Sequence, residues 1–165
     1  MQPILTVPND TMALLASEED DLASRSSARL LITDAALGKA ETRARRIHRL
    51  GPYSNGPFVR VDASSFPIHE GLLRPMCVDL LDRAAGGTLF IDAVDTMPTT
   101  VQGVIIELID ELEPPRNTSR AVRLVSGTTA SLLECVAARS FAEVLFYRLN
   151  IIHLVHPNGA AVTSA

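Results

Sequence analysis

Short apolar runs alternate with longer stretches of mixed apolar and polar residues along this 165-residue chain. The short runs have the composition of buried strands, and the longer stretches repeat apolar residues at helical spacing. The predicted strands are 30–33, 58–62, 88–92, 122–126 and 151–155, and the predicted helices are 38–50, 67–84, 98–112, 131–138 and 141–147. This alternation predicts an α/β fold, a mainly parallel five-stranded sheet with helices on both faces, in a three-layer αβα arrangement.

The chain divides into three predicted regions. Residues 1–29 form an N-terminal leader with a short amphipathic helix, residues 30–156 form a single domain, and residues 157–165 form a flexible tail. Within the helix predicted over 67–84, Pro67 fits the first turn, whereas Gly71 and Pro75 are expected to interrupt it.

Composition narrows the class of protein. Hydrophobic residues are 47% of the chain, charged residues are 21%, and the net charge is −4, as in ordinary globular domains. The N-terminus lacks the pattern of a signal peptide, and no apolar run approaches the roughly 18 residues of a membrane span. Cys77 and Cys135 do not form a CxxC pair. A cytoplasmic protein with reduced thiols is therefore predicted.

Lys39 is the only lysine among 15 basic residues. It follows Gly38, after the apolar run Leu30 to Thr33, where a helix is predicted to begin. A strand, a glycine-containing loop and a Gly-Lys pair at a helix start are typical of a phosphate-binding loop. The alternative is an ordinary surface lysine at the start of a helix. The segment alone favours neither interpretation.

A second candidate residue is Asp92, at the end of the apolar run Thr88 to Asp92. In parallel sheets, ligands bind at the edge where strands end and helices begin. An aspartate carried to that edge can hold a magnesium ion directly or through water. Lys39 and Asp92 are therefore predicted to lie at the same edge.

Longer stretches resemble the AAA+ domain of the sigma-54-dependent activators, the NtrC-like bacterial enhancer-binding proteins. The stretches that carry the resemblance are 44–50, 56–62, 86–92 and 146–152, and the similarity runs in order from about Leu30 to His156. The resemblance implies a P-loop fold that binds ATP or ADP with Mg²⁺, with Gly38, Lys39 and Ala40 at the phosphates and Asp92 at the metal. It also implies an inter-subunit role for Arg148, which matches the second arginine finger of the family.

Several family positions hold other residues in this chain. The family's phosphate loop reads GESGTGKE, and the residues matched to it, 33–40, have Thr33 and Ala36 in place of two glycines. Ala93 follows Asp92 where the family has the glutamate that polarises the attacking water. Thr129 and Ala142 stand for the sensor asparagine and the first arginine finger.

The family's GAFTGA loop, which contacts sigma-54, belongs between Ala63 and Gly86. Only residues 64–85 fill that interval, and they do not resemble the loop. Direct sigma-54 contact through such a loop is therefore not expected. The resemblance also leaves no residues for a lid subdomain or for a DNA-binding motif.

These departures predict a degenerate domain, without efficient ATP hydrolysis and with at most vestigial ATP binding. Its predicted role is that of a regulatory or protein-interaction module in transcription control. The predicted partner is an activator ring or a second copy of the chain. The alternative is a nucleotide-dependent switch or a weak ATPase. For Arg148, the alternative to an inter-subunit role is an ion pair with a carboxylate such as Glu143.

Two charged segments have simple interpretations. The acidic run at Glu18 to Asp21 is interpreted as a solvated helix face. The basic helix that contains Arg43, Arg46 and Arg49 could contact nucleic-acid phosphates, but a solvated face is favoured because no aromatic platform accompanies it.

Overall fold

A computed structural model describes residues 9–111 and 120–156 of the chain. Its five strands form one sheet in the order β2-β3-β4-β1-β5, and every neighbouring pair is parallel. The strands are β1 (Leu30–Thr33), β2 (Phe58–Asp62), β3 (Thr88–Asp92), β4 (Arg123–Thr128) and β5 (Ile152–Val155). The predicted parallel five-stranded sheet is confirmed.

Six α-helices accompany the sheet in the part of the chain that the structure describes. They are α1 (Asn9–Ser24), α2 (Lys39–Leu50), α3 (Glu70–Ala84), α4 (Thr99–Glu111), α5 (Leu132–Ala137) and α6 (Glu143–Leu149). Short 3₁₀ turns at Ala63–Ser65 and Val94–Thr96 follow β2 and β3. The helix predicted over 98–112 corresponds to α4, and its last predicted residue, Leu112, lies outside the described residues.

Helix α3 departs from its prediction in two ways. It begins at Glu70 rather than at Pro67, and it continues through Pro75. Proline removes one backbone hydrogen bond from a helix interior. The helix persists because apolar residues on both sides of the proline, such as Leu73 and Cys77, are buried in the core. Tertiary packing therefore outweighs the local preference.

The sheet separates two hydrophobic layers. On one face, Leu31 and Ile91 belong to a layer that includes buried residues of α3, α4, α5 and α6. On the other face, Phe90 and Val125 pack with Ala44 and other buried residues of α1 and α2. Strands covered on both faces consist almost wholly of apolar residues. The three-layer αβα arrangement is therefore confirmed.

The carboxyl ends of all five strands lie at one edge because the strands are parallel. The connection from β2 to β3 begins at this edge and contains the 3₁₀ turn Ala63–Ser65 and helix α3. Within residues 9–111 and 120–156, every helix is too short or too polar to span a lipid bilayer.

Candidate functional site

A cavity of about 350 Å³ lies at the carboxyl ends of β2, β3 and β4. We call it the strand-end cavity. Its wall includes Gly38 and Ala40 at the start of α2 and Asp92 and Ala93 after β3. The structure therefore brings together three of the predicted nucleotide-site residues: Gly38, Ala40 and Asp92.

Lys39 lines a different cavity, of about 290 Å³, between α1 and α2. Successive residues of a helix point about 100° apart. Ala40 and Glu41 consequently line the strand-end cavity, whereas Lys39 lines the interhelical cavity beside Arg43. The structure separates Lys39 from Asp92, although the sequence analysis placed them at one site.

In the loop between β1 and α2, a side chain of the loop accepts a hydrogen bond from the loop's own backbone. Asp34 is buried, and its backbone N–H donates to the carbonyl of Thr128 at 3.0 Å. Its carboxylate Oδ1 accepts the backbone N–H of Ala36 at 2.9 Å. Gly38 has a φ of 76°, a conformation that favours glycine. A phosphate-binding loop directs its N–H groups at a bound anion. Here a carboxylate of the loop already takes one of them.

Asp92 is bonded to an arginine that the sequence analysis did not single out. Arg60 Nη2 donates to Asp92 Oδ2 at 2.7 Å, and Arg60 Nε lies 3.0 Å from Glu41 Oε2. The other oxygen of Asp92, Oδ1, accepts the N–H of Ala93 at 3.0 Å. The hydrogen bond to Asp92 is the main cause of a raised pKa for the Arg60 guanidinium. Both oxygens of Asp92 are thus engaged.

This arrangement does not fit the magnesium ion that the fold family implies. Magnesium requires carboxylate oxygens or waters at about 2.0–2.1 Å in octahedral geometry. Asp92 lines the cavity, and its Oδ2 is instead bonded to a cationic guanidinium. Within the described residues, no group of three or more His, Cys, Asp or Glu side chains is arranged to hold a metal.

Ala93 adopts a left-handed conformation with a φ of 52°, and its methyl group cannot polarise water. The next carboxylate along the turn, Asp95, accepts a hydrogen bond from Thr128 Oγ1 at 2.7 Å. Thr129, at the position of the family's sensor asparagine, also lines the strand-end cavity.

Arg148 forms an ion pair with Asp110 of α4, and its backbone carbonyl accepts Arg29 Nε at 2.6 Å. Its partner is therefore a carboxylate of the same chain, although not the Glu143 suggested by sequence. At the position of the first arginine finger, the N–H of Ala142 donates to Gln102 Oε1 at 2.7 Å.

The acidic run of α1 faces the basic residues of α2. Arg43 lies 2.5 Å from Asp20 Oδ1 and 2.8 Å from Glu19 Oε2, and Arg46 lies 3.3 Å from Asp21 Oδ1. The interpretation of the acidic run as a solvated face is wrong for Asp20, which is buried against Arg43. The signal in the sequence was the opposite charge of the two segments, acidic in α1 and basic in α2.

Residues 77–155 match the family described as Sigma-54 interaction domain. The sigma54-dependent transcriptional activator SfnR of Pseudomonas putida is 34% identical over 167 residues, which cover 89% of this chain and 45% of SfnR. The regulatory protein AtoC of Escherichia coli (strain K12) is 31% identical over 152 residues, which cover 80% of this chain and 32% of AtoC. The chain therefore spans less than half the length of these relatives.

Solved structures show the same fold. NtrX from Brucella abortus in complex with ATP superposes with a TM-score of 0.75 at 24% identity, covering 93% of this chain and 39% of NtrX. The P-loop NTPase domain of a sigma-54 transport activator from E. coli gives 0.69 at 19% identity, covering 91% of this chain and 97% of that domain. Residues 77–155 thus match the Sigma-54 interaction domain, and most of the chain is similar to sigma-54-dependent transcriptional activators and shares the P-loop NTPase fold.

Proposed function

We propose that this domain is a regulatory, protein-interaction module of transcription control that does not hydrolyse ATP efficiently. The observation that carries the proposal is the loop after β1. The buried carboxylate of Asp34 accepts the Ala36 N–H where the family binds phosphate. An anion placed there would compete with this carboxylate for the N–H group and would be repelled by its charge.

The position of the loop in the fold supports this proposal. Thr33 belongs to β1, where it pairs with Thr128 and Val155, so the loop begins at Asp34. Lys39, which is matched to the lysine of the family's loop, lines the cavity between α1 and α2, and the strand-end cavity receives the methyl group of Ala40 instead.

Two further features support an interaction role rather than catalysis. The turn after Asp92 offers Ala93, which lacks a carboxylate, and Asp95, which is bonded to Thr128. The connection from β2 to β3 contains the 3₁₀ turn Ala63–Ser65 and helix α3, and this short connection favours a partner contact other than one through a GAFTGA loop. The proposed partner is an activator ring of the same family or a second copy of this chain.

Nucleotide binding tests the catalytic half of the proposal. We expect a fluorescent ATP analogue with Mg²⁺ to bind the native chain more weakly than about 1 mM, because the loop presents a carboxylate to the phosphates. Steady-state phosphate release should equal that of Asp92→Asn. In Asp34→Gly, which removes the carboxylate and frees the Ala36 N–H, affinity should rise about tenfold. Asp79→Asn, on the exposed side of α3, is the matched control.

Saturable binding of the analogue below about 100 μM, with turnover that Asp92→Asn abolishes, would contradict the proposal. It would support the alternative of a nucleotide-dependent switch or weak ATPase. NtrX, which shares the fold, was crystallised with ATP and with ADP, and this is the observation that favours the alternative.

Partner binding tests the other half. The chain should be added in increasing amounts to an intact sigma-54-dependent activator from the same organism while ATP hydrolysis by the activator is followed. We expect hydrolysis to fall as the chain approaches an equimolar ratio, because a subunit without a working site interrupts the ring. Sedimentation velocity of the mixture measures association directly. Unchanged hydrolysis, together with a chain that sediments as a monomer in every mixture, would sink this half of the proposal.

A further inference from the structure

Arg60 is surrounded by carboxylates that come from three different elements. Glu41 lies on the first turn of α2, Asp62 ends β2, and Asp92 ends β3. The guanidinium lies 2.7 Å from Asp92 Oδ2, 3.0 Å from Glu41 Oε2 and 3.7 Å from Asp62 Oδ2. One cation therefore connects the helix to the ends of two strands.

The parallel register of β2 and β3 explains this meeting. Asp62 is paired with Asp92, and Arg60 stands two residues before Asp62 on the same face of β2. Val59 and Val61, on the opposite face, are buried in the core. The long side chain of Arg60 thus runs along the strand to the edge where both carboxylates lie.

The remaining oxygens of the three carboxylates are also satisfied without a metal. Asp62 Oδ1 accepts both the N–H and the hydroxyl of Ser64, at 2.9 and 2.6 Å, and these bonds are the main cause of a lowered pKa for Asp62. Asp92 Oδ1 accepts the N–H of Ala93, and Glu41 Oε1 accepts Arg45 Nε at 2.8 Å. Two arginines and three carboxylates together leave one net negative charge.

We propose that Arg60 takes the place of a divalent cation. Its guanidinium holds the carboxylates together at the carboxyl edge of the sheet and excludes a metal ion. A metal bound to Asp92 Oδ2 would need that oxygen at about 2.1 Å. The guanidinium nitrogen occupies the same direction at 2.7 Å and carries like charge. Arg60 is part of the chain, so its positive charge would stay close to any metal ion that displaced its guanidinium from Asp92.

Manganese binding tests this assignment without nucleotide or catalysis. The amount of free Mn²⁺, measured by electron paramagnetic resonance, should be compared for native chain, Arg60→Met and Arg60→Lys. Arg60→Met keeps the aliphatic stem and removes the charge, so its affinity for Mn²⁺ should exceed that of the native chain by at least about tenfold. Arg60→Lys keeps a cation at the cluster and should resemble the native chain. Asp92→Asn added to Arg60→Met should abolish the gain.

Arg74→Met is the matched control, because Arg74 also pairs with two carboxylates, Glu70 and Glu107, on exposed helices. Its Mn²⁺ affinity should equal that of the native chain. Circular dichroism of each variant establishes that it is folded. If Arg60→Met does not fold, Arg60→Gln replaces it as the variant that removes the charge. Native chain that binds Mn²⁺ as tightly as Arg60→Met would overturn the inference. So would a gain in Arg74→Met as large as that in Arg60→Met.

This inference does not depend on the proposed function. If native chain binds Mn²⁺ tightly but releases no phosphate from ATP, the inference fails and the proposed function stands. If the chain hydrolyses ATP without any requirement for a divalent cation, the proposed function fails and the substitution by Arg60 stands.

Discussion

Replacing Phe90 by alanine is expected to lower the free energy of unfolding by about 4 kcal/mol, as removal of a fully buried ring does. The Phe90 side chain is 0% exposed. Its ring stacks on that of Phe58 with centroids 5.9 Å apart. A Cβ built at Gly127 would lie 2.8 Å from its Cζ, so the ring rests directly on the glycine of β4. Equilibrium urea unfolding followed by circular dichroism measures the loss.

Phe90→Leu provides the graded control. Leucine fills part of the volume, so its loss should be about 1–2 kcal/mol. A loss for Phe90→Ala no larger than that for Phe90→Leu would mean that the layer between the sheet and α2 collapses around the missing ring. The close contact between Phe90 and Gly127 would then not limit packing.

Replacing Arg123 by alanine is expected to cost about 3 kcal/mol, because the carbonyls of Ala23 and Ala28 each lose a hydrogen bond from a buried guanidinium and a cavity is left. Arg123 is 1% exposed, and burial is the main cause of a lowered pKa for its guanidinium. Nη2 donates to the carbonyl of Ala23 at 2.8 Å, and Nε donates to that of Ala28 at 3.4 Å. Among the described residues, these bonds connect the first residue of β4 to α1 and to the segment after it.

Hydrogen exchange distinguishes this connection from a general loss of stability. Amides of α1 should exchange faster in Arg123→Ala, relative to those of α4, because α1 loses its bonds to the sheet. Arg83→Ala, on the exposed side of α3, should change stability by less than about 0.5 kcal/mol. If α1 and α4 lose protection equally, Arg123 supports the whole core rather than the attachment of α1.

The strands were the most predictable elements of the fold. The bounds predicted for β2 and β3, Phe58–Asp62 and Thr88–Asp92, coincide with those of the structure. Both runs follow glycine or a Gly-Pro pair and consist largely of apolar residues, so local sequence is sufficient to delimit them. The start of α3 was less predictable, because Pro67 has the local features of a first helical turn while burial of the later residues decides where the helix forms.

The candidate site was predictable only in outline. Lys39 and Asp92 were placed at the carboxyl edge of the sheet, and of these two only Asp92 lines the strand-end cavity, together with Gly38, which the resemblance placed at the phosphates. The partner of Asp92 could not be inferred, because Arg60 is 32 residues away and meets it only through the register of two strands. Lys39, predicted at the same edge as Asp92, lines the cavity between α1 and α2 instead, because consecutive residues of a helix point about 100° apart.

The sequence by itself determined the class of fold and the similarity to sigma-54-dependent transcriptional activators. These properties follow from apolar runs, glycine positions and extended motifs, which are local. The tertiary structure alone decided that Asp34 closes its own loop, that Arg60 neutralises Asp92 and that Asp20 is buried against Arg43. Two of these contacts join residues on different elements, and all three depend on side-chain direction, strand register and helix packing. Side-chain direction, strand register and helix packing are set only when the whole chain folds, so local sequence does not reveal them.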